Sequence, residues 1–154
     1  MHRLVICLFI MVMWNTCNSA KKSIKFTPSI LIGVWKNELN STLNITNIDS
    51  KTMEIRGGYT SPSGTNGTQF PLLGYTNYAQ NAKKSYYKTD EALAVCFIVS
   101  WGDIGTITAW SGFYNTRTKQ IITPWLLVSP KTNYVWNHIN TGQDIFTKIT
   151  LKTG

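Results

Sequence analysis

The chain has 154 residues, 43% of them hydrophobic and 12% aromatic, three cysteines and a formal net charge of +8. That length fits one domain better than two. The lysines are scattered instead of forming a stripe interleaved with aromatics, which argues against specific nucleic-acid recognition and leaves weak adhesion to anionic surfaces.

In chain order, the basic start Met1-His2-Arg3 precedes eleven largely apolar residues, Leu4 to Trp14, and then the small and polar Thr16 to Ala20. This is the pattern of a secretory signal peptide. The apolar run is too short to span a bilayer, which needs about 20 residues, so no membrane span is expected and an N-terminal anchor is the minor alternative. Residues 1–20 are expected to be removed, leaving a secreted, extracellular domain over 21–154. Cys7 and Cys17 leave with the signal, so Cys96 has no intramolecular partner and is expected to be a buried small apolar residue. Sequons at Asn40, Asn44 and Asn66 agree with export as a glycoprotein.

Beyond residue 20 no stretch keeps a 3.6-residue period. Short alternating runs are separated instead by Gly, Asn, Ser, Thr or Pro. Over 33–41, Gly33, Trp35, Asn37, Leu39 and Ser41 share one face, with Lys36, Glu38 and Asn40 opposite. Over 53–61, Met53, Ile55, Gly57, Tyr59 and Ser61 do the same. Further strands are predicted at 72–78, 93–101, 106–114, 120–129, 134–140 and 144–151. The run 93–101, "LAVCFIVSW", is apolar on both faces, as in a strand covered on each side. Eight consecutive short strands predict an all-β fold, an eight-stranded antiparallel up-and-down β-barrel that leaves no open edge; a sandwich is the alternative. Such a barrel holds one small ligand in its mouth.

The inner face carries more polar groups than a plain core. Asn37, Ser41, Tyr59 and Ser61 join Trp35 and Leu39 there, and each buried polar group without a partner costs about 1–3 kcal/mol. They point either to a compact polar ligand or to mutual satisfaction and buried water. In "WGDIGTITAWSG" (101–112), Trp101 differs in parity from Thr106, Thr108 and Trp110. A hairpin at Gly102-Asp103-Ile104-Gly105 would bring the two indoles and two hydroxyls to one interior. Catalysis is hard to build: there is one histidine after the signal, His138, with seven carboxylates and no nucleophile elbow, phosphate loop or metal-ligand spacing. The reading is of a protein that is not an enzyme and carries no metal or cofactor, with His138 at a surface or interface. Asp144 begins an apolar strand near the expected mouth, as a site acid or as a strand-end cap.

From Gly33 to about Lys152 the motifs "GVWKNELNS", "GGYTS", "PLLGYTN", "VSW", "TITAWSG", "PWLLVS" and "VWNHINTGQDIFTKI", in this order, resemble the avidin and streptavidin family. The resemblance implies an eight-stranded barrel, a homotetramer and very tight non-covalent capture of biotin. It implies that Asn37, Ser41 and Tyr59 donate to the ureido oxygen, that Ser61 and Asp144 accept from the ureido N–H groups, and that Thr108 lies near the thioether sulfur. Thr106 and the loop Ser63, Gly64, Thr65 and Asn66 would receive the valeryl carboxylate. Trp101, Trp110, Trp125, Leu39 and Leu127 would form the apolar box, and Trp136 would enter a neighbouring subunit's site.

The chain departs from that pattern in two places. Cys96 has no partner for the disulfide of some avidins. Asp103 and Ile104 stand where those avidins place an aromatic and a serine, so a weaker grip on the tail of free biotin is expected. Two other functions remain on the sequence alone: a cationic surface-adhesion protein, and a lipocalin-type carrier, which the polar inner face disfavours.

Overall fold

The computed structural model describes residues 27–63, 65, 67–78 and 92–150. The expected signal peptide, and Gly64 and Asn66 of the expected ligand loop, lie outside the described residues. Among those described, eight strands form a closed antiparallel barrel in sequence order. They are β1 (Gly33–Lys36), β2 (Thr42–Ile48), β3 (Glu54–Thr60), β4 (Gln69–Asn77), β5 (Ala92–Ser100), β6 (Ile107–Asn115), β7 (Gln120–Val128) and β8 (Ile139–Lys148). Three short 3-10 turns accompany them, at Pro28–Leu31, Gly102–Ile104 and Val135–His138.

The barrel agrees with the expected fold, but the strands differ from those predicted. The expected strand 33–41 ends at Lys36, because Asn37 Oδ1 accepts the backbone N–H groups of Leu39 and Ser41 and bends the chain. Asn40 completes that turn with φ 66°, a conformation that Asn tolerates. A strand not predicted, β2, follows, with Leu43 and Ile45 inward among polar neighbours. The two strands expected at 134–140 and 144–151 are replaced by the turn Val135–His138 and the single strand β8. The missed strand and the merged pair cancel in the count.

Period-two alternation places the core. Strand β5 turns Leu93, Val95, Phe97 and Val99 inward, and all are buried. Its other face is exposed, so Cys96 is a surface thiol and not the buried residue expected. At one end the 3-10 turn Pro28–Leu31 buries Leu31, whose carbonyl accepts the Trp35 indole N–H at 2.8 Å. Up-and-down connectivity puts the β1–β2, β3–β4, β5–β6 and β7–β8 connections together at the opposite end, the mouth.

Candidate ligand-binding site

Five strands or their ends bring polar side chains into the barrel beneath the mouth. At the end of β1, the Asn37 amide is fixed in orientation because its oxygen accepts from Leu39 N–H at 3.1 Å and Ser41 N–H at 2.7 Å. Its NH2 group therefore faces inward and donates to Asp144 Oδ1 at 2.9 Å. The other carboxylate oxygen of Asp144 accepts the Trp110 indole N–H at 2.8 Å. Asp144 thus stands buried in the middle of β8, deeper than the strand start the sequence suggested. Both its oxygens are held by neutral donors, with no cation beside it in these bonds.

Burial pushes the Asp144 carboxyl above its ordinary value; the Trp110 and Asn37 hydrogen bonds oppose this, and the Glu38 charge adds to it. Burial likewise raises the Tyr59 hydroxyl well above its usual range, against a hydrogen bond with Ser41, while the charges of Asp144 and Glu38 push the same way as burial. Tyr59 therefore keeps its proton and stays a donor. Asn37, Ser41, Tyr59, Thr108 and Asp144 are all buried in the unliganded chain.

The walls are aromatic. Trp110 lies on Phe97 with centroids 4.9 Å apart and planes 19° apart, and Tyr59 tilts against its ring at 4.8 Å. Trp101 meets Tyr59 and Phe70 edge-on and donates its indole N–H to Thr108 Oγ1 at 2.8 Å. The parity change in "WGDIGTITAWSG" is absorbed by the turn Gly102–Ile104, where Gly102 and Gly105 take positive φ of 55° and 73°. Trp125 on β7 is half-buried, and its indole lies over Gly142, where a Cβ would come within 2.4 Å of the ring. The missing side chain at Gly142 makes room for that wall.

Not every expected residue joins this cluster. Leu39 is 67% exposed on the β1–β2 turn, because the strand that would have turned it inward ends before it. Ser61 and Ser63 hydrogen-bond each other at 3.2 Å, and Thr65 Oγ1 donates to the Ser61 carbonyl. Leu127 and Thr106 are half-buried, and Asp103 is exposed on the rim. Trp136 is 74% exposed, stacked on Tyr134 at 4.9 Å, and reaches none of the interior. His138 is half-buried, with Nδ1 2.6 Å from the Ser129 carbonyl.

Three contributors were not picked out in the sequence. Glu38, on the polar side of the first run, turns back and accepts Ile145 N–H at 3.2 Å, closing the seam above the short β1–β8 pairing; no local signal marks it. Phe97 supports Trp110; the run 93–101, apolar on both faces, does not show which face turns inward. Thr123 faces inward opposite Asp144 in the β7–β8 register, and its buried Oγ1 has no hydrogen-bond partner among the described residues. Among these residues no group of His, Cys, Asp or Glu is placed to hold a metal ion, and no helix is long and apolar enough to cross a membrane.

An acceptor carboxylate, several fixed donors and aromatic walls suit a compact, neutral ligand that both donates and accepts. Two solved structures are similar to the chain. That of bradavidin is 28% identical over 76% of this chain and 79% of that one, with a TM-score of 0.63. That of core-bradavidin is 29% identical over 74% of this chain and 96% of that one, with a TM-score of 0.61. No curated protein matches. Residues 25–149, which contain the whole described barrel, match the model of the avidin family. The chain therefore belongs to the avidin family, whose members are binding proteins without catalytic activity.

Proposed function

We propose that the protein is a secreted biotin-binding protein that sequesters the vitamin non-covalently beneath the barrel mouth. The observation that carries this reading is the Asp144 carboxylate, buried yet held only by the neutral donors Asn37 and Trp110. Such a carboxylate retains lone pairs for a further N–H, as a ureido group supplies. The second N–H of Asn37, with the hydroxyls of Ser41 and Tyr59, would donate to the ureido oxygen. Ser61 would accept the other ureido N–H, and Thr108 would face the sulfur. Trp101, Trp110 and Trp125, with Leu127, would wall the ring system. Thr106, Ser63, Gly64 and Thr65 would lie towards the tail.

Assembly as a homotetramer accounts for two surface features. Tyr75, Ile98, Ile107, Phe113, Leu126 and Val128 are exposed on the outer faces of β4 to β7, an apolar surface of the kind that marks a protein interface. Trp136, exposed at the mouth, would enter a neighbouring subunit's site, as would Leu39 on the rim close its own. Removal of residues 1–20 on secretion and glycans at Asn40 or Asn44 belong to the same reading; a glycan at the Asn66 sequon, in the loop expected to receive the ligand's tail, would hinder binding.

Titration of tryptophan fluorescence with biotin at micromolar protein tests the reading. A stoichiometric change supports it, and no change across that range refutes it.

A further inference from the structure

The rim of the site carries chemistry that the floor does not explain. Trp110, Thr108 and Thr106 follow one another up the inner face of β6 and its approach, in steps of about 7 Å per residue pair. A ligand whose head rests on Asp144 and Trp110 and extends along this face has its far end between the β5–β6 and β3–β4 connections. The β5–β6 connection lies against the start of β4, just after the β3–β4 connection, since a Cβ on Gly102 would lie 3.4 Å from the Phe70 ring. Asp103 is the one ionic side chain in either of them.

The rim offers a carboxylate little to bind. Asp103 is exposed and of like charge, and Ile104 is 52% exposed and apolar. The Ile104 and Gly105 N–H groups already donate to the Trp101 and Gly102 carbonyls at 3.2 and 2.9 Å. On the β3–β4 connection, Ser61 and Ser63 bond each other and Thr65 donates to the Ser61 carbonyl. The same rim suits an amide: Asp103 can accept an N–H, a charge-assisted bond, and Ile104 can cover an alkyl chain. One cation follows directly on a residue of this region: Lys131 is next in sequence to Pro130, whose Cγ lies 3.3 Å from where a Cβ on Gly105 would sit.

Resting on the biotin reading above, we propose that the site is built for biotin joined through an amide, the biotinyl-lysine form carried on peptides and proteins, in preference to the free acid. The carboxylate of free biotin meets Asp103, whereas an amide removes that repulsion and adds a donor that Asp103 accepts.

The test is competitive titration calorimetry of the full assembled protein with biotin and with biotin N-methylamide, at low and high salt. The methylamide is expected to bind at least as tightly as free biotin. Asp103→Asn is expected to lower the methylamide-to-biotin affinity ratio about threefold, the effect of removing a like charge a few ångströms away in high dielectric. High salt should strengthen free biotin alone, because it screens that charge. Free biotin binding more than about tenfold tighter than the methylamide, with a ratio insensitive to Asp103→Asn, overturns the proposal. So does a selective loss of free biotin on Lys131→Ala, which would place the carboxylate on that cation. Absence of binding by both ligands overturns the biotin reading itself, a result distinguishable from either of these.

Discussion

The side chains of Asn37 and Asp144, 107 positions apart in the chain, are joined by a hydrogen bond of 2.9 Å that ties the β1–β2 turn to the centre of β8. Because Asn37 Oδ1 also holds the N–H groups of Leu39 and Ser41, one amide sets both the turn and the orientation of the carboxylate. Asn37→Ala removes the acceptor for two backbone donors, one of them on buried Ser41. A loss of about 1–3 kcal/mol of stability is expected, read from the chemical-denaturation midpoint of the unliganded protein. A midpoint unchanged from the native chain would show that the turn holds without the amide.

The raised Asp144 carboxyl gives binding a defined pH dependence. Its folded-state value lies above the ordinary 3.8, so between that figure and the folded value the native state holds more proton than the unfolded chain. The contribution of this group to stability is therefore greatest below 3.8 and declines as pH rises through the window. A ligand N–H needs the ionised form, so affinity for biotin should run the other way. It should rise with pH through the window, by up to about tenfold per unit, and level off above it. Asp144→Ala should abolish this dependence and lose the charge-assisted bond, about 1.5–3 kcal/mol of affinity. Affinity that climbs as pH falls would exclude an ionised Asp144 as the acceptor.

How much of this was legible in the sequence depends on what each residue's local pattern encodes. Trp35, Tyr59 and Trp110 alternate within regular strands, and their inward placement follows from period two, whereas Phe97 lies in a run apolar on both faces, where period two leaves the inner face open. Leu39 breaks the pattern because the Asn37 side chain competes with the ladder and ends β1 early, which alternation does not register. The strand β2 was missed because Asn44, Thr46 and Asn47 dilute the apolar signal of Leu43 and Ile45. Glu38 looks like a solvated charge until the turn carries it against Ile145. The barrel was thus readable from its regular strands, whereas the mouth is set by side-chain to backbone bonds.

Two inward threonines should respond oppositely to the same substitution. Thr108 and Thr123 are both buried, but Thr108 Oγ1 accepts the Trp101 indole N–H while Thr123 Oγ1 has no partner among the described residues. Thr108→Val orphans a buried N–H and is expected to cost about 1–3 kcal/mol. Thr123→Val exchanges an unpaired hydroxyl for a methyl of similar size and is expected to be neutral or to stabilise by about 1 kcal/mol. Thermal unfolding of the two variants side by side decides this. A large loss at Thr123 would show that its hydroxyl is satisfied by an internal water.

Trp136 separates the properties of one chain from those of the assembly. Trp136 is 74% exposed and, among the described residues, stacks on the exposed Tyr134 with planes 8° apart. Replacing it should therefore alter the fold of a single chain little, within about 0.5 kcal/mol, as for most surface positions. If a neighbouring subunit's site receives this indole, Trp136→Lys removes a buried aromatic anchor and places a charge in the same space. A loss of about 2 kcal/mol or more of biotin affinity, ~30-fold, is expected, the scale of an aromatic interface hot spot. Sedimentation should show smaller species at the same protein concentration. Because the single-chain contacts at Trp136 are so few, unchanged affinity and unchanged sedimentation together would mean that each barrel completes its site alone.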